Sequence, residues 1–228
     1  MISIVLYGDA KVGKTWLAST APKPVLFLDA EAGGMRHVPG THSKWDISTA
    51  PPTELPDDAV CSADIESFSD LKTAVQWLAA KPFAFKSIVL DSLTEAQSRL
   101  VRHVSPGRQP KIADWGAIGR ELDDLVVTLR DIMPARGIDC LVFVCGVEDD
   151  GYGKVMPMLQ GRMRRILPYK VDIVGCLRVR ADESGKSRRL LQITPDDMTV
   201  AGKRDGGVLP DWLWDPDLSD LYNTVNGE

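Results

Sequence analysis

The sequence predicts an α/β fold: a mostly parallel central sheet flanked by helices, with an antiparallel hairpin towards the C-terminus. Three observations predict it. Short apolar runs alternate with longer stretches of helical periodicity, the pattern of a parallel sheet covered by helices. Two strand-like runs, 171–180 and 188–194, flank the turn sequence ADESGKS and read as a hairpin. The chain has 228 residues, 44% apolar and 26% charged, which suits one globular domain with a substantial core and excludes wholesale disorder.

Taken in order, Ile2 to Tyr7 is the first strand and Val25 to Asp29 the second. From Gly33 to Ala63 the chain is rich in Pro, Asp, Ser and Thr, including Pro51, Pro52 and Pro56; it reads as mostly loop, with a short strand near Trp45 to Ile47. A helix over Ser69 to Ala80 puts Leu71, Val75 and Leu78 on one face. Ser87 to Leu90 is a buried strand ending at Asp91, and Ser92 with Glu95 then starts a helix as a capping pair. Trp115, Ile118, Leu122, Leu125, Leu129 and Ile132 recur every three or four residues, the clearest amphipathic helix, stopped by Pro134 and Gly137. Cys140 to Cys145 is another buried strand. The expected organisation is a core over 1–210 and an acidic segment, 211–228, packed on it or extending from it.

Charge is unevenly spread. The net charge is −5, but residues 205–228 carry six acids and no base, leaving the rest at +1. Residues 151–204 hold twelve Lys and Arg against five acids, a local excess suited to a polyanion or to a solvated face. Cys61, Cys140, Cys145 and Cys176 form no CxxC pair, and on a strand Cys140 and Cys145 face opposite ways, so buried thiols are expected rather than a metal framework. His37 and His42 lie in an irregular stretch with only Cys61 as a further ligand, which makes a metal site there unfavoured. No apolar run reaches the roughly 20 residues of a membrane span, and the N-terminus lacks the pattern of a secretory signal, so no membrane partner and a cytoplasmic location are expected.

The chemistry is concentrated near the N-terminus. Gly8, Asp9, Ala10, Lys11, Val12, Gly13, Lys14 and Thr15 match G-x-x-x-x-G-K-[ST], between a predicted strand and a helical pattern. Glycines let successive backbone N–H groups converge on phosphate oxygens, Lys14 is placed for the β and γ phosphates, and the Thr15 hydroxyl for Mg²⁺. Asp91, at a strand end, is the natural second carboxylate for the metal's shell. Glu31, just past the second strand, is a candidate to orient or deprotonate water, and Asp29 an alternative. The only asparagines, Asn223 and Asn226, exclude an N-K-x-D guanine-reading element, which favours ATP.

The run Phe27 to Glu31 looks like the RecA-type strand that ends in a D-A-E triplet, and Ser87 to Leu93 is similar to that family's metal-binding strand. The resemblance implies that Glu31 activates water and that Asp91 binds the metal. More closely, YGDAKVGKTWLAS, LFLDAEAGG, SIVLDSLTEAQ, IADWGAIGRELDDLV, PMLQGRMRRILPYKVDIVG and AGKRDGGVLP resemble, in order, the small single-domain RecA-like P-loop ATPases of bacteriophages, a group associated with recombination and single-strand annealing. These segments run from near residue 4 to about 210.

The resemblance implies a RecA-like P-loop NTPase fold with ATP and Mg²⁺ as cofactors. It also implies single-stranded DNA as partner, homo-oligomers with ATP between subunits, and a single-strand-binding or annealing protein as a further partner. Trp16 departs from the pattern, standing where a hydroxyl residue often meets the α phosphate. Cys145 and Gly146 stand where a γ-phosphate-sensing Gln is common. Arg204, with Lys203 as substitute, is similar to a cation that reaches a neighbouring subunit's phosphates in the family, although the motif's first Lys aligns with Gly202. Two segments are candidates for DNA, one around Arg102, Arg108 and Lys111, the other from Lys154 through Arg162, Arg164 and Arg165; both are expected after strands. A nucleotide or small-molecule kinase, with Arg162 to Arg165 in a lid, and a nucleotide-dependent scaffold with little turnover are the alternatives.

Overall fold

The computed structural model describes residues 1–31 and 34–227. Its centre is the strand β1 (Ile2–Gly8), whose residues are all buried. Parallel to it on one side lies β6 (Cys140–Cys145), followed by β5 (Ser87–Asp91), β2 (Val25–Asp29), β4 (Ala59–Asp64) and β3 (Thr41–Lys44). On its other side lies parallel β9 (Ile173–Ala181), then antiparallel β10 (Ser187–Gln192) and β12 (Trp212–Trp214), with the short β11 (Gly202–Lys203) on the start of β9. This is the mostly parallel sheet with a C-terminal antiparallel pair that the alternation of runs implies.

Because strand side chains alternate faces, the sheet carries two cores. One takes Val5, Tyr7, Phe143 and Cys145 under the helices α2 (Phe68–Ala80), α3 (Leu93–Val104), α4 (Ile112–Ile132) and the short α5 (Met163–Ile166). The other takes Ile4, Leu6, Cys140 and Val142 under α1 (Lys14–Ala18) and α6 (Leu218–Asn226). Cys140 and Cys145 thus fall on opposite faces, and all four cysteines are buried free thiols. Ser67 caps α2 in a reciprocal box with Asp70, so the helix starts one residue before the periodicity does.

The stretch expected to be mostly loop contains two strands. In β4, Val60 and Cys61 are fully buried between neighbours, and the run is too short and too closely flanked by Asp57 and Asp58 to show a period. The short strand falls at Thr41–Lys44 rather than at Trp45 to Ile47. Trp45 N still donates to Ser62 O at 2.8 Å, but Asp46 then turns the chain: its side chain accepts from Ser48 N (2.9 Å) and its carbonyl from Thr49 N (3.0 Å). His42, expected in irregular chain, is therefore on a strand, with Nε2 2.8 Å from Val38 O. The first residue of that expected loop, Gly33, lies outside the described residues, as does Ala32.

The acidic C-terminal segment uses its carboxylates locally. Asp217 caps α6 by accepting from Ser219 N and Asp220 N, and Asp215 Oδ2 accepts from Arg188 Nε at 2.7 Å. Leu218 and Leu221 enter the second core, and Leu218 N donates to Thr20 Oγ1 at 2.8 Å. Among the described residues no helix is long and apolar enough to cross a membrane.

Candidate functional site

The loop from Gly8 to Thr15 leaves the carboxyl end of β1 and closes into α1. A Cβ on Gly8 would run into the carbonyl of Leu177 on β9, and Gly13 holds φ +101°, so each glycine is dictated by its surroundings. Lys14 Nζ donates to Gly8 O (2.9 Å) and Asp9 O (2.8 Å), which holds the ammonium at the loop's mouth; burial lowers its pKa. Asp9, Ala10 and Lys11 are exposed at the tip, and Val12 turns into the second core.

Neighbouring parallel strands bring the carboxylates to this end. Thr15 Oγ1 donates to Asp91 Oδ2 at 2.6 Å. Burial pushes the Asp91 carboxyl up to about 6, against the Thr15 hydrogen bond; Glu31 and Asp29 add to the rise and Lys14 opposes it. Glu31 follows β2 and is exposed; its Oε1 accepts from Ser92 Oγ at 2.6 Å, and its N–H donates to Asp29 Oδ1 at 3.0 Å. Arg99 of α3 donates to Ala30 O at 2.6 Å and to Glu66 O, clamping the turn that carries Glu31. The site residues Lys14, Thr15, Glu31 and Asp91 therefore converge at one edge of the sheet, where ligands of open α/β sheets bind.

Magnesium fits the pair that meets there. A hydroxyl and a carboxylate oxygen are the hard donors it takes, two protein ligands leave room for water and phosphate oxygens, and the buried carboxylate gains from a cation. Among the described residues no cluster of three His, Cys, Asp or Glu side chains offers another metal site.

The other candidates lie elsewhere. Arg204, exposed, stands at the amino end of the parallel strands, opposite Lys14: its N–H donates to Asp172 O (2.8 Å) and its Nη2 to Tyr169 O (2.8 Å). Arg164, Arg165, Lys203 and Arg204 share the wall of a cavity of about 730 Å³. Arg164 pairs with Glu148 (3.4 Å), and Arg162 lies 3.8 Å from Asp123 and packs over Gly119 of α4. Lys154 is apart from these, in the hairpin between β7 (Val147–Asp149) and β8 (Val155–Pro157). The first DNA segment begins on a helix rather than after a strand: Arg102 is on α3 and pairs with Glu95, and Arg108 pairs with Asp114, the residue that also accepts from Lys111 N. The periodicity of 93–104 runs on past the strand end, so the segment sits one element later than expected.

Sequence reasoning missed three residues of the site. Ser92 was legible only as a helix cap; its hydroxyl serves both Glu95 N and Glu31. Arg99 gave no signal beyond its place on α3. Arg189 of β10 also gave none: its Nε donates to Val12 O at 3.2 Å and its guanidinium lies 4.8 Å from the centre of the Trp16 ring.

A strand, a glycine-bounded loop, a lysine at its mouth and a threonine hydrogen-bonded to a strand-end aspartate define a P-loop NTPase. The chain belongs to the family described as AAA domain, whose profile matches residues 1–204, and is thus a P-loop ATPase-type domain. No curated protein matches it.

Proposed function

We propose that this protein binds Mg-ATP in the Gly8–Thr15 loop, hydrolyses it, and couples the nucleotide to single-stranded DNA in bacteriophage recombination or annealing. The observation that carries the ATPase reading is the meeting of Thr15, Asp91 and the Ser92-held Glu31 beside Lys14. Thr15 and Asp91 would hold magnesium, which supplies charge neutralisation at the β and γ phosphates. Loop N–H groups and Lys14 orient the triphosphate. Glu31, exposed at the strand edge, takes the proton of the attacking water, and Ser92 fixes the carboxylate's direction.

The DNA reading is supported by Arg164 and Arg165 in the wall of that cavity, with Tyr169 exposed beside them for stacking. Coupling is supported by α3, which begins just after Asp91: Thr94 Oγ1 donates to Met158 O (2.9 Å) and accepts from Gly146 N (3.1 Å), while Gln97 Nε2 donates to Gln160 O and its Oε1 accepts from Gln160 N. The segment leading to Arg162 thus hangs on the helix that leaves the metal-binding strand. Arg204, too far from its own loop, would act on the ATP of an adjacent copy in a homo-oligomer, and a single-strand-binding or annealing protein would be the further partner.

The test is turnover of wild type and Glu31→Gln with and without single-stranded DNA across a salt series. Glu31→Gln is expected to keep ATP binding and lose about 10²- to 10⁴-fold in hydrolysis. Undiminished hydrolysis removes Glu31 from the mechanism; absence of DNA stimulation removes the coupling.

A further inference from the structure

We infer that Trp16 and Arg189 together form the seat for the nucleoside end of the nucleotide, its base and ribose. The inference rests on the reading of Gly8–Thr15 as a triphosphate loop and adds to it a recognition element on the opposite side of β1. The sheet order supplies the direction. The groups that serve the terminal phosphate, Asp91 and Glu31, come from β5 and β2, reached from β1 through β6. A triphosphate whose last phosphate lies towards them directs its nucleoside the other way, over β9 and β10. Arg189 projects from β10 to meet the loop there.

Two arginines in succession on β10 behave differently. Arg188 pairs with Asp215 (2.7 Å) and Asp182 (3.7 Å) and lies over Trp214, so its charge is spent at the surface. Arg189 points to the other face, where no carboxylate of the described residues comes within ion-pair distance; its partners are Val12 O and the Trp16 ring. Its Nε sits 2.5 Å from where a Gly13 Cβ would be, so the loop's second glycine makes room for it. Its main chain is fixed as well, with Asp215 N donating to Arg189 O at 2.7 Å and Arg189 N to Asp215 Oδ1 at 3.1 Å.

Trp16 is 37% exposed and directly follows Thr15. A planar guanidinium lying over an indole beside a phosphate loop offers two flat π-compatible surfaces and spare N–H donors, the chemistry that holds a nucleobase and ribose oxygens. It also gives Trp16 a use where a hydroxyl would only have touched a phosphate.

Calorimetric titration with ATP and with inorganic tripolyphosphate, each with magnesium, tests this on wild type, Arg189→Ala, Trp16→Ala and Trp16→Phe. Wild type is expected to prefer ATP. Arg189→Ala and Trp16→Ala should weaken ATP about 5- to 150-fold, the range for loss of one base stack, and leave tripolyphosphate unchanged, while Trp16→Phe retains most of the preference. Equal weakening of both ligands, or of neither, overturns the inference and leaves the phosphate-loop reading standing. A folded wild type that takes up neither ligand overturns both. Should Trp16→Ala fail to fold, Trp16→Phe and Arg189→Ala decide the matter.

Discussion

Replacing Asp91 with Asn is expected to stabilise the ligand-free protein while abolishing its chemistry. Burial raises this carboxyl from its ordinary 3.8 to about 6. The folded state therefore holds the proton more tightly than the unfolded chain between those values, and this group's contribution to stability falls as pH rises through the window. Above it, the ionised carboxylate costs the fold about 3 kcal/mol. Asn keeps an acceptor for Thr15 and carries no charge, so Asp91→Asn should gain up to that amount at pH 8, roughly 6–12 °C in melting temperature for a chain of this size. The gain should vanish below pH 4. Urea or thermal denaturation of both proteins across pH 4 to 8 measures it. A variant no more stable than wild type at pH 8, or a difference that does not change with pH, would refute the argument from burial.

Ser92→Ala should lower hydrolysis while sparing ATP affinity, since its hydroxyl aims Glu31 and touches no loop residue; equal loss in both would show that it only caps α3. The triple change Arg162→Ala, Arg164→Ala, Arg165→Ala should flatten the salt dependence of single-strand binding by about 0.7 for each phosphate that these arginines neutralise, and an unaltered slope would move the DNA elsewhere. Leu221→Ala, truncating a side chain only 2% exposed in the second core, should cost about 2–5 kcal/mol in urea denaturation; a negligible change would mean that α6 contributes nothing to the core.

The parallel sheet was legible because its buried strands are continuous apolar runs, and Gly8–Thr15 because a phosphate cradle tolerates few residue choices. Asp91, at the end of such a run, and Glu31, just past one, were legible by position. What escaped was set by tertiary contact. Ala59–Asp64 lacks a period because it lies between two strands and presents small residues to both faces, and Arg189 looks in sequence like its neighbour Arg188. Only the alternation of β10 sends one to solvent carboxylates and the other to the loop. The first DNA segment was misplaced in the fold for a different reason: a resemblance in order does not count the elements between motifs, and 102–111 begins on the last turn of α3 rather than after a strand.

Burial makes Asp91 costly and also depresses Lys14, so the site holds an anion on β5 and a cation on the loop whose charged forms the fold disfavours and which meet other partners: Asp91 the Thr15 hydroxyl, Lys14 two loop carbonyls. A magnesium–nucleotide complex offers the complementary charge to each. Its binding energy therefore includes relief of a cost already present in the folded chain, and the stabilisation it confers must be larger for wild type than for Asp91→Asn. That difference follows from electrostatics alone and does not depend on whether hydrolysis is fast, so a slow enzyme with DNA bound elsewhere would still show it.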